Sequence, residues 1–336
     1  MLDLRELSLP IIGAPMAGGP GTPALAAAVS DAGGLGFVAT GYKSPEAVAA
    51  DLEAVRALTT GPFGVNLFVV EPYQPDTRAL DAYRRSLEPL AARFDVDLGE
   101  PRWEDDAWRA KLELVYDARP DVVTFTFGCP SDRVLRQLAD LEVHSGVTVT
   151  TVAEAREAVA RGAASLAVQG PGAGGHRGSW QLDEVPDETP LLDLVSAVRA
   201  AVDVPLVAGG GIHDAQGVRS AMDAGAAAAL VGTAYLLADE AGTNPTHRAA
   251  LQDPGLAETA LTRAYTGRWA RGLANDFIRA HQGAPAGYPH LHHLTAPLRK
   301  AAAAAGDPQV AHLWAGSGQA HARQATAAEI TRALAS

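Results

Sequence analysis

An apolar strand runs directly into a glycine-rich loop in the stretch Ser165-Leu166-Ala167-Val168-Gln169-Gly170-Pro171-Gly172-Ala173-Gly174-Gly175-His176-Arg177-Gly178. Five of its last ten residues are glycine, and such a density costs conformational entropy unless the backbone must turn sharply or approach something bulky. We interpret the bulky partner as a ligand. The large side chains that remain, Gln169, His176 and Arg177, are predicted to converge on one opening. The alternative is a solvated surface loop without a ligand.

The repeat around this loop predicts the fold. Helical sequence, a Gly-Ala turn and a strand occur over residues 153–170 and again over residues 214–232. Strands of this kind start near residues 11, 35, 63, 121, 147, 164, 204 and 227, and each but the last is followed by helical sequence. The count and spacing predict an α/β protein with a (β/α)8 TIM barrel. A doubly wound open sheet is the alternative.

The first βα unit contains a sequence that resembles a dinucleotide fingerprint. Residues 19–24 fit G-x-G-x-x-A and lie between a predicted strand and a helix that begins at Thr22 and Pro23. The fingerprint also needs an acidic residue at the end of the next strand to hold the ribose, and residues 39–42 provide none. We therefore do not predict a dinucleotide site here.

Two glycine clusters end the seventh and eighth predicted strands. Residues 209–211 are all glycine, and Gly232 is followed by Thr233. TIM barrels place their sites at the carboxyl ends of the strands and commonly bind phosphate after strands seven and eight. Unobstructed backbone N–H groups near helix starts form a donor surface for a dianion. The clusters predict a phosphate cradle, with a simple strand-to-helix turn as the alternative.

Other residues have less specific interpretations. Asn66 lies within an apolar strand and needs hydrogen-bond partners, either from its own backbone surroundings or from a ligand. Residues 71–120 form a charged, helix-rich insertion that we interpret as a solvated face. Residues 290–293, His-Leu-His-His, match no common metal spacing and indicate a polar loop or lid. Cys129 is interpreted as an inert small residue.

Composition excludes several classes of protein. The chain has 336 residues, of which 47% are hydrophobic, enough for one large domain or a domain with a subdomain. Its formal net charge of −12 argues against general binding to nucleic acid or to an anionic membrane. The sequence has no secretory signal pattern and no long apolar stretch, so we expect a cytoplasmic protein. A single cysteine excludes an internal disulfide framework.

Several motifs resemble the nitronate monooxygenase family, formerly called 2-nitropropane dioxygenases. They are the run Pro-Ile-Ile-Gly-Ala-Pro-Met at residues 10–16, the loop 169–178, residues 208–212 and 231–233, and in the tail residues 288–289, 294–299 and 313–318. The likeness covers nearly the whole chain. It implies an FMN flavoprotein on a TIM barrel with a smaller, mainly helical subdomain. It also implies an oxidoreductase, a monooxygenase that oxidises alkyl nitronates, and in some members nitroalkanes such as 3-nitropropionate, with dioxygen.

The resemblance also implies roles for individual residues. His176 would be the catalytic base, and no metal site is implied. The FMN phosphate would lie on Gly211, Gly232 and Thr233. The predicted cofactor-binding set is Ala14, Pro15, Met16, Asn66, Gln169, Gly174, Gly175, Gly210, Gly211, Val231, Gly232 and Thr233. Residues expected beside the substrate or flavin are Arg177, Tyr288, Gly316 and Ser317.

We expect the FMN-binding barrel to span residues 1–240, with residues 300–336 packing back on it and residues 241–299 forming a small helical lid or substrate subdomain. The partners would be a small anionic nitro compound or nitronate and dioxygen, without nucleic acid or membrane, and a homodimer is left open. Gly172 and Leu230 depart from the Glu and Gln usual in the family. Alternatives are therefore an FMN-dependent NAD(P)H:quinone or enoyl reductase and a non-catalytic flavin-binding barrel.

Overall fold

The computed structural model describes residues 2–336 and contains one large parallel sheet. Its strands are β1 (Ile11–Gly13), β2 (Gly36–Ala39), β3 (Phe63–Phe68), β4 (Val122–Thr126), β5 (His144–Val149), β6 (Ser165–Gln169), β8 (Leu206–Gly209) and β9 (Ala228–Val231). Their order is β1-β9-β8-β6-β5-β4-β3-β2, and a parallel bridge between Ile12 and Leu35 joins the two edges. The sheet therefore closes into a barrel. Each strand begins within three residues of its predicted start, so the (β/α)8 prediction is confirmed.

Helices surround the barrel and bury their apolar faces against it. The first begins as predicted, because Thr22 Oγ1 accepts a hydrogen bond from Leu25 N at 3.0 Å and Pro23 takes the first helical position. None of the helices described is long and apolar enough to cross a membrane. The helices around the barrel are α1 (Pro23–Asp31), α2 (Pro45–Leu58), α4 (Trp108–Ala118), α5 (Asp132–Asp140), α6 (Val152–Arg161), α7 (Leu191–Ala201), α8 (Ala215–Asp223) and α12 (Ala327–Leu334).

A second group of elements packs over the carboxyl ends of the strands. The elements are α3 (Thr77–Arg93), β7 (Gly175–His176), α9 (Pro245–Ala250), β10 (Thr259–Thr262), β11 (Ala270–Leu273), α10 (Asp276–Ala280) and α11 (His290–Ala304). Their small antiparallel sheet has the order β10-β11-β7. The apolar core of this group also includes Leu80, Tyr83 and Leu87, which belong to the insertion between β3 and β4. The domain boundaries stay a prediction.

The charged insertion is not a solvated face throughout, and the sequence-based prediction is wrong for two of its charges. Lys111 is 0% exposed and Asp106 is 9% exposed. Lys111 Nζ lies 2.7 Å from Asp106 Oδ2 and donates to Thr40 O at 2.9 Å, while Asp106 Oδ1 accepts from Tyr42 N at 2.9 Å. The reason is tertiary, since this ion pair ties α4 to the end of β2. It thereby fixes the backbone at Tyr42, whose φ is 67°.

Candidate active site

A cavity of about 250 Å³, which we name the barrel cavity, opens at the carboxyl ends of the barrel strands. Residues at the ends of β1, β3, β6, β8 and β9 line it, as the barrel geometry requires. The structure thus brings together the predicted base and all but one of the predicted cofactor residues. These are Ala14, Pro15, Met16, Asn66, Gln169, Gly174, Gly175, His176, Gly210, Gly211, Gly232 and Thr233.

Five of the predicted site residues lie outside this lining, namely Val231, Arg177, Tyr288, Gly316 and Ser317. The side chain of Val231 is buried, and its carbonyl accepts a hydrogen bond from Ala14 N at 2.8 Å. Arg177 is 1% exposed, and its guanidinium donates to the carbonyls of Gly170 and Asp187. The predicted convergence of a guanidinium on the opening is therefore wrong. This side chain turns inward because it supplies donors to loop carbonyls.

Glycines form one side of the barrel cavity, and the backbone geometry explains why these positions require glycine. Gly210 and Gly211 have φ values of 120° and 87°, which L side chains rarely adopt. A Cβ on Gly211 would lie 2.8 Å from Ser317 Oγ, and one on Gly232 would lie 3.3 Å from Ala14 Cβ. A Cβ on Gly174 would collide with the backbone N of Gly316. These positions leave bare backbone facing the cavity.

The tail of the chain completes this glycine surface. Gly316 N donates to Thr233 Oγ1 at 2.9 Å, and Ser317 N donates to Gly172 O at 2.9 Å. Gly316 and Ser317 are thus bonded to the cradle rather than lining the cavity. Across residues 2–336, no Asp, Glu, Lys or Arg lines the barrel cavity. An anion bound there would be held by backbone N–H groups and uncharged polar side chains, without Lys or Arg.

Two amides hold the framework of the cavity. Asn66 Nδ2 donates to the hydroxyls of Thr124 and Thr126 at 3.0 Å each, so its partners come from β4. Gln169 Nε2 donates to His176 O at 3.1 Å, and its Oε1 accepts from Gly178 N at 2.8 Å. The Gln169 amide therefore clamps both ends of the His176 segment to the end of β6. Both side chains still face the cavity.

His176 lies on β7, which pairs with β11 through the register His176–Ala270. Its Nε2 is 2.8 Å from Thr266 Oγ1. The rings of Phe127, Tyr288 and Trp314 surround the imidazole at centroid distances of 5.7, 6.0 and 5.5 Å. This places the predicted neighbour Tyr288 beside His176, although its ring does not line the barrel cavity.

The electrostatic surroundings favour a neutral imidazole. Burial lowers the pKa of His176 to about 3, and the positive charges of Arg268 and Arg299 act in the same direction. Arg268 lies 4.2 Å above the Phe127 ring, and its Nη1 donates to Ser179 O at 2.6 Å. A neutral ring has the free lone pair that a base needs, but a pKa of about 3 makes it a weak base, because general-base catalysis is most efficient when the pKa lies near the operating pH.

A second cavity of about 310 Å³, which we name the outer chamber, adjoins the first. It includes cationic side chains, Arg299 and Lys300, and Thr266. His176 lines both cavities and so lies at their junction. The residues common to both linings are Ala17, Gly18, Tyr42, His176, His312 and Trp314.

The helix that borders the outer chamber corrects one sequence-based prediction. Residues 290–293 do not form a polar loop, because they are the first turn of α11. His292 stacks on Tyr42 with ring centroids 4.2 Å apart. His292, Ala296 and Lys300 line the outer chamber at a spacing of four residues. That i, i+4 spacing on one helix face is the signal that could have revealed them.

A sequence profile of the nitronate monooxygenase family matches residues 3–336. The chain belongs to the nitronate monooxygenase family. The protein named nitronate monooxygenase from Pseudomonas aeruginosa is 40% identical to this chain in an alignment of 341 positions, which covers 98% of this chain and 96% of that protein. A protein named probable nitronate monooxygenase from Staphylococcus aureus is 33% identical over 94% of this chain and 90% of its own length.

Solved structures agree with this membership. The structure of nitroalkane oxidase from Streptomyces ansochromogenes is similar to this chain, with a TM-score of 0.94 and 45% identity. The match covers 99% of this chain and 96% of the nitroalkane oxidase chain. FabK from Thermotoga maritima is similar with a TM-score of 0.76 and 26% identity, over 99% and 93%. The family and these relatives confirm the prediction of an oxidoreductase that acts on nitronates or nitroalkanes.

Proposed function

We propose that this chain uses FMN to oxidise small nitronates with dioxygen, and that it also accepts neutral nitroalkanes after removing their α-proton. The observation that carries the proposal is the position of His176. Its neutral imidazole lies between an uncharged glycine cradle and a chamber that contains Arg299 and Lys300. The expected location is the cytoplasm, and the expected partners are a small nitro compound or nitronate and dioxygen.

The residues of the barrel cavity fit FMN. Backbone groups of Gly211, Gly232 and Thr233 would hold the terminal phosphate, because a Cβ at either glycine would crowd the cradle. The lack of acidic side chains in the lining described above favours an anion. Asn66 and Gln169 would contact the ring system. FMN would supply the redox chemistry, the net transfer of electrons from the substrate anion to dioxygen.

His176 would move the proton. A neutral nitroalkane gives up electrons readily only after its α-proton has left, and a positioned general base accelerates such a transfer by about 10²–10⁴-fold. The neutral state of His176 allows its ring to accept that proton. The nitronate that results is an anion, and the charges of Arg299 and Lys300 beside it would stabilise it. A substrate supplied as the nitronate does not need the base.

The cofactor is tested by denaturing the purified protein and identifying the flavin released. We expect FMN, because the glycine cradle suits a single terminal phosphate. Release of FAD would contradict the proposal. A protein that contains no flavin and takes up none from added FMN would contradict it as well.

The reaction class is tested by mixing the flavin-loaded protein with a nitronate under anaerobic conditions, and separately with NADH, while following the flavin absorbance. We expect the nitronate to bleach the flavin and NADH to leave it oxidised. Bleaching by NADH alone would favour the quinone or enoyl reductase alternative. No bleaching by either compound would favour a non-catalytic flavin-binding barrel.

A further inference from the structure

Thr266 is a buried hydroxyl that faces the predicted base. It lies in the turn between β10 and β11, is 1% exposed, and its Oγ1 is 2.8 Å from His176 Nε2. The same oxygen lies 3.3 Å from the carbonyl of Arg268, to which it can donate, and 3.4 Å from Arg268 N, from which it accepts. Nothing in the sequence motifs pointed to this residue.

The single proton of this hydroxyl links the direction of its hydrogen bonds to the tautomer of the imidazole. A threonine hydroxyl has one proton to donate and two lone pairs to accept with. If the proton goes to the Arg268 carbonyl, the contact at 2.8 Å can be a hydrogen bond only when His176 Nε2 carries the proton. A neutral imidazole that is protonated at Nε2 has a free lone pair at Nδ1.

We propose that Thr266 is a positioning residue that keeps the proton of His176 on Nε2, so that Nδ1 is the atom that removes the α-proton of a neutral nitroalkane. This inference rests on the proposed function and adds to it the identity of the basic atom and of the group that selects it. Thr266 does not line the barrel cavity, where FMN would lie, and its proposed role is exerted through His176.

The turn that carries Thr266 is held rigidly. Tyr265 is buried, and its hydroxyl donates to Ala311 O at 2.9 Å and lies 3.0 Å from Asn275 Nδ2, which donates to it. The hydroxyl of Thr295 donates to the carbonyl of Tyr265. On the other side, the Arg268 guanidinium donates to Ser179 O. Because both neighbours are fixed, the hydroxyl is already in place when the substrate arrives.

The proton transfer balances without any further reactant. The α-carbon–hydrogen bond breaks, its electron pair delocalises into the nitro group to give the nitronate, and the proton passes to Nδ1. The imidazolium that forms keeps its Nε2–H donated to Thr266 Oγ1. That hydrogen bond becomes charge-assisted and therefore stronger as the proton arrives. Thr266 would thus stabilise the transition state more than the ground state.

The kinetic test compares Thr266→Val, which keeps the shape and removes the hydroxyl, with Thr266→Ser, which keeps the hydroxyl. We expect Thr266→Val to lower kcat/KM for a neutral nitroalkane by about 10- to 150-fold, the worth of one charge-assisted hydrogen bond. Activity on the matching nitronate should change by less than about threefold, and Thr266→Ser should recover most of the loss. In a His176→Asn background, Thr266→Val should have no further effect.

A spectroscopic test does not depend on turnover. Nitrogen-15 NMR of histidine-labelled protein separates the two neutral tautomers, and we expect His176 to be protonated at Nε2 in the parent protein and in Thr266→Ser. Thr266→Val should give a mixture of tautomers. Protonation at Nδ1 in the parent protein, or an equal loss on both substrates in Thr266→Val, would overturn the inference. If His176→Asn itself spares the neutral nitroalkane, the proposed function fails instead.

Discussion

The two sides of the site bind and react by different means. The barrel side consists of strand ends and glycines, including Gly174, Gly211 and Gly232, and presents backbone N–H groups. The outer side comes from the segment that runs from β10 through α11 and from residues such as Tyr42 and Trp314, and it presents side chains, among them Thr266 and Arg299. The barrel side carries no charge, whereas the outer side is cationic and aromatic. Cofactor binding and proton transfer are therefore assigned to separate parts of the fold, and changes on one side should spare the function of the other.

The largest expected effect is on the stability of the fold, through the buried ion pair that supports the outer side. Lys111→Met removes one partner of the buried pair with Asp106 and leaves a carboxylate without its counter-ion. Such a change costs about 3–5 kcal/mol of stability, measured by urea unfolding. The double variant Lys111→Met with Asp106→Asn should recover part of this loss. If Lys111→Met unfolds at the same urea concentration as the parent, the pair does not hold the end of β2.

The flavin content of the folded Lys111→Met protein tests whether the barrel side binds its cofactor independently of the outer side. The ion pair reaches the site through Tyr42, which lines both cavities but is not among the groups assigned to FMN. We expect the folded variant to bind FMN as the parent does. A parallel loss of FMN would show that the two sides are not independent.

The next effect concerns the barrel side. Gly211→Val places a side chain against Ser317 and disfavours the backbone φ of 87°. We expect the loss of at least one hydrogen bond to the phosphate, which weakens FMN binding by about 10- to 150-fold. Fluorescence titration of the apoprotein with FMN measures this change.

Gly162→Val is the matched control for Gly211→Val. Gly162 has a φ of 101° but ends α6 in open space, where an added Cβ would meet no other atom within 4 Å. This variant should lose stability without losing affinity for FMN. Equal affinities in the two variants would show that the phosphate lies elsewhere.

The smallest expected effect is on the pH dependence of kcat/KM, which the outer side controls through His176. Because the pKa of His176 is lowered to about 3, the ring stays unprotonated as the pH falls through 6.5. kcat/KM for a neutral nitroalkane should therefore stay level between about pH 7 and 5 instead of falling with an ordinary histidine titration. Arg268→Met removes one of the charges that lower this pKa and should move the acid limb upward. A parent profile that falls below pH 6.5 would contradict the assignment.

The sequence predicted the barrel side far better than the outer side. Strand ends and glycine clusters repeat with a fixed period, and a barrel brings all such ends to one face. That is why Gly211 and Gly232 could be placed without a structure. Arg177 was placed on the wrong side of its loop, since a motif does not encode the direction of a side chain.

No repeated sequence pattern predicts which residues meet on the outer side. Tyr42, Thr266 and His292 meet from distant parts of the chain, and neither periodicity nor spacing links them. The buried pair of Asp106 and Lys111 was likewise hidden, because charged residues in an insertion are usually solvated. Only tertiary packing shows that these two are not.

The most direct test of the central claim is His176→Asn assayed by oxygen uptake with a neutral nitroalkane and with its nitronate. We predict a loss of about 10²–10⁴-fold on the neutral nitroalkane, a much smaller loss on the nitronate, and unchanged FMN content. An equal loss on both substrates would contradict the role of His176 as a base and would indicate that it binds the anion. Undiminished activity on both would show that His176 has a structural role at the junction of the two cavities and takes no part in the chemistry.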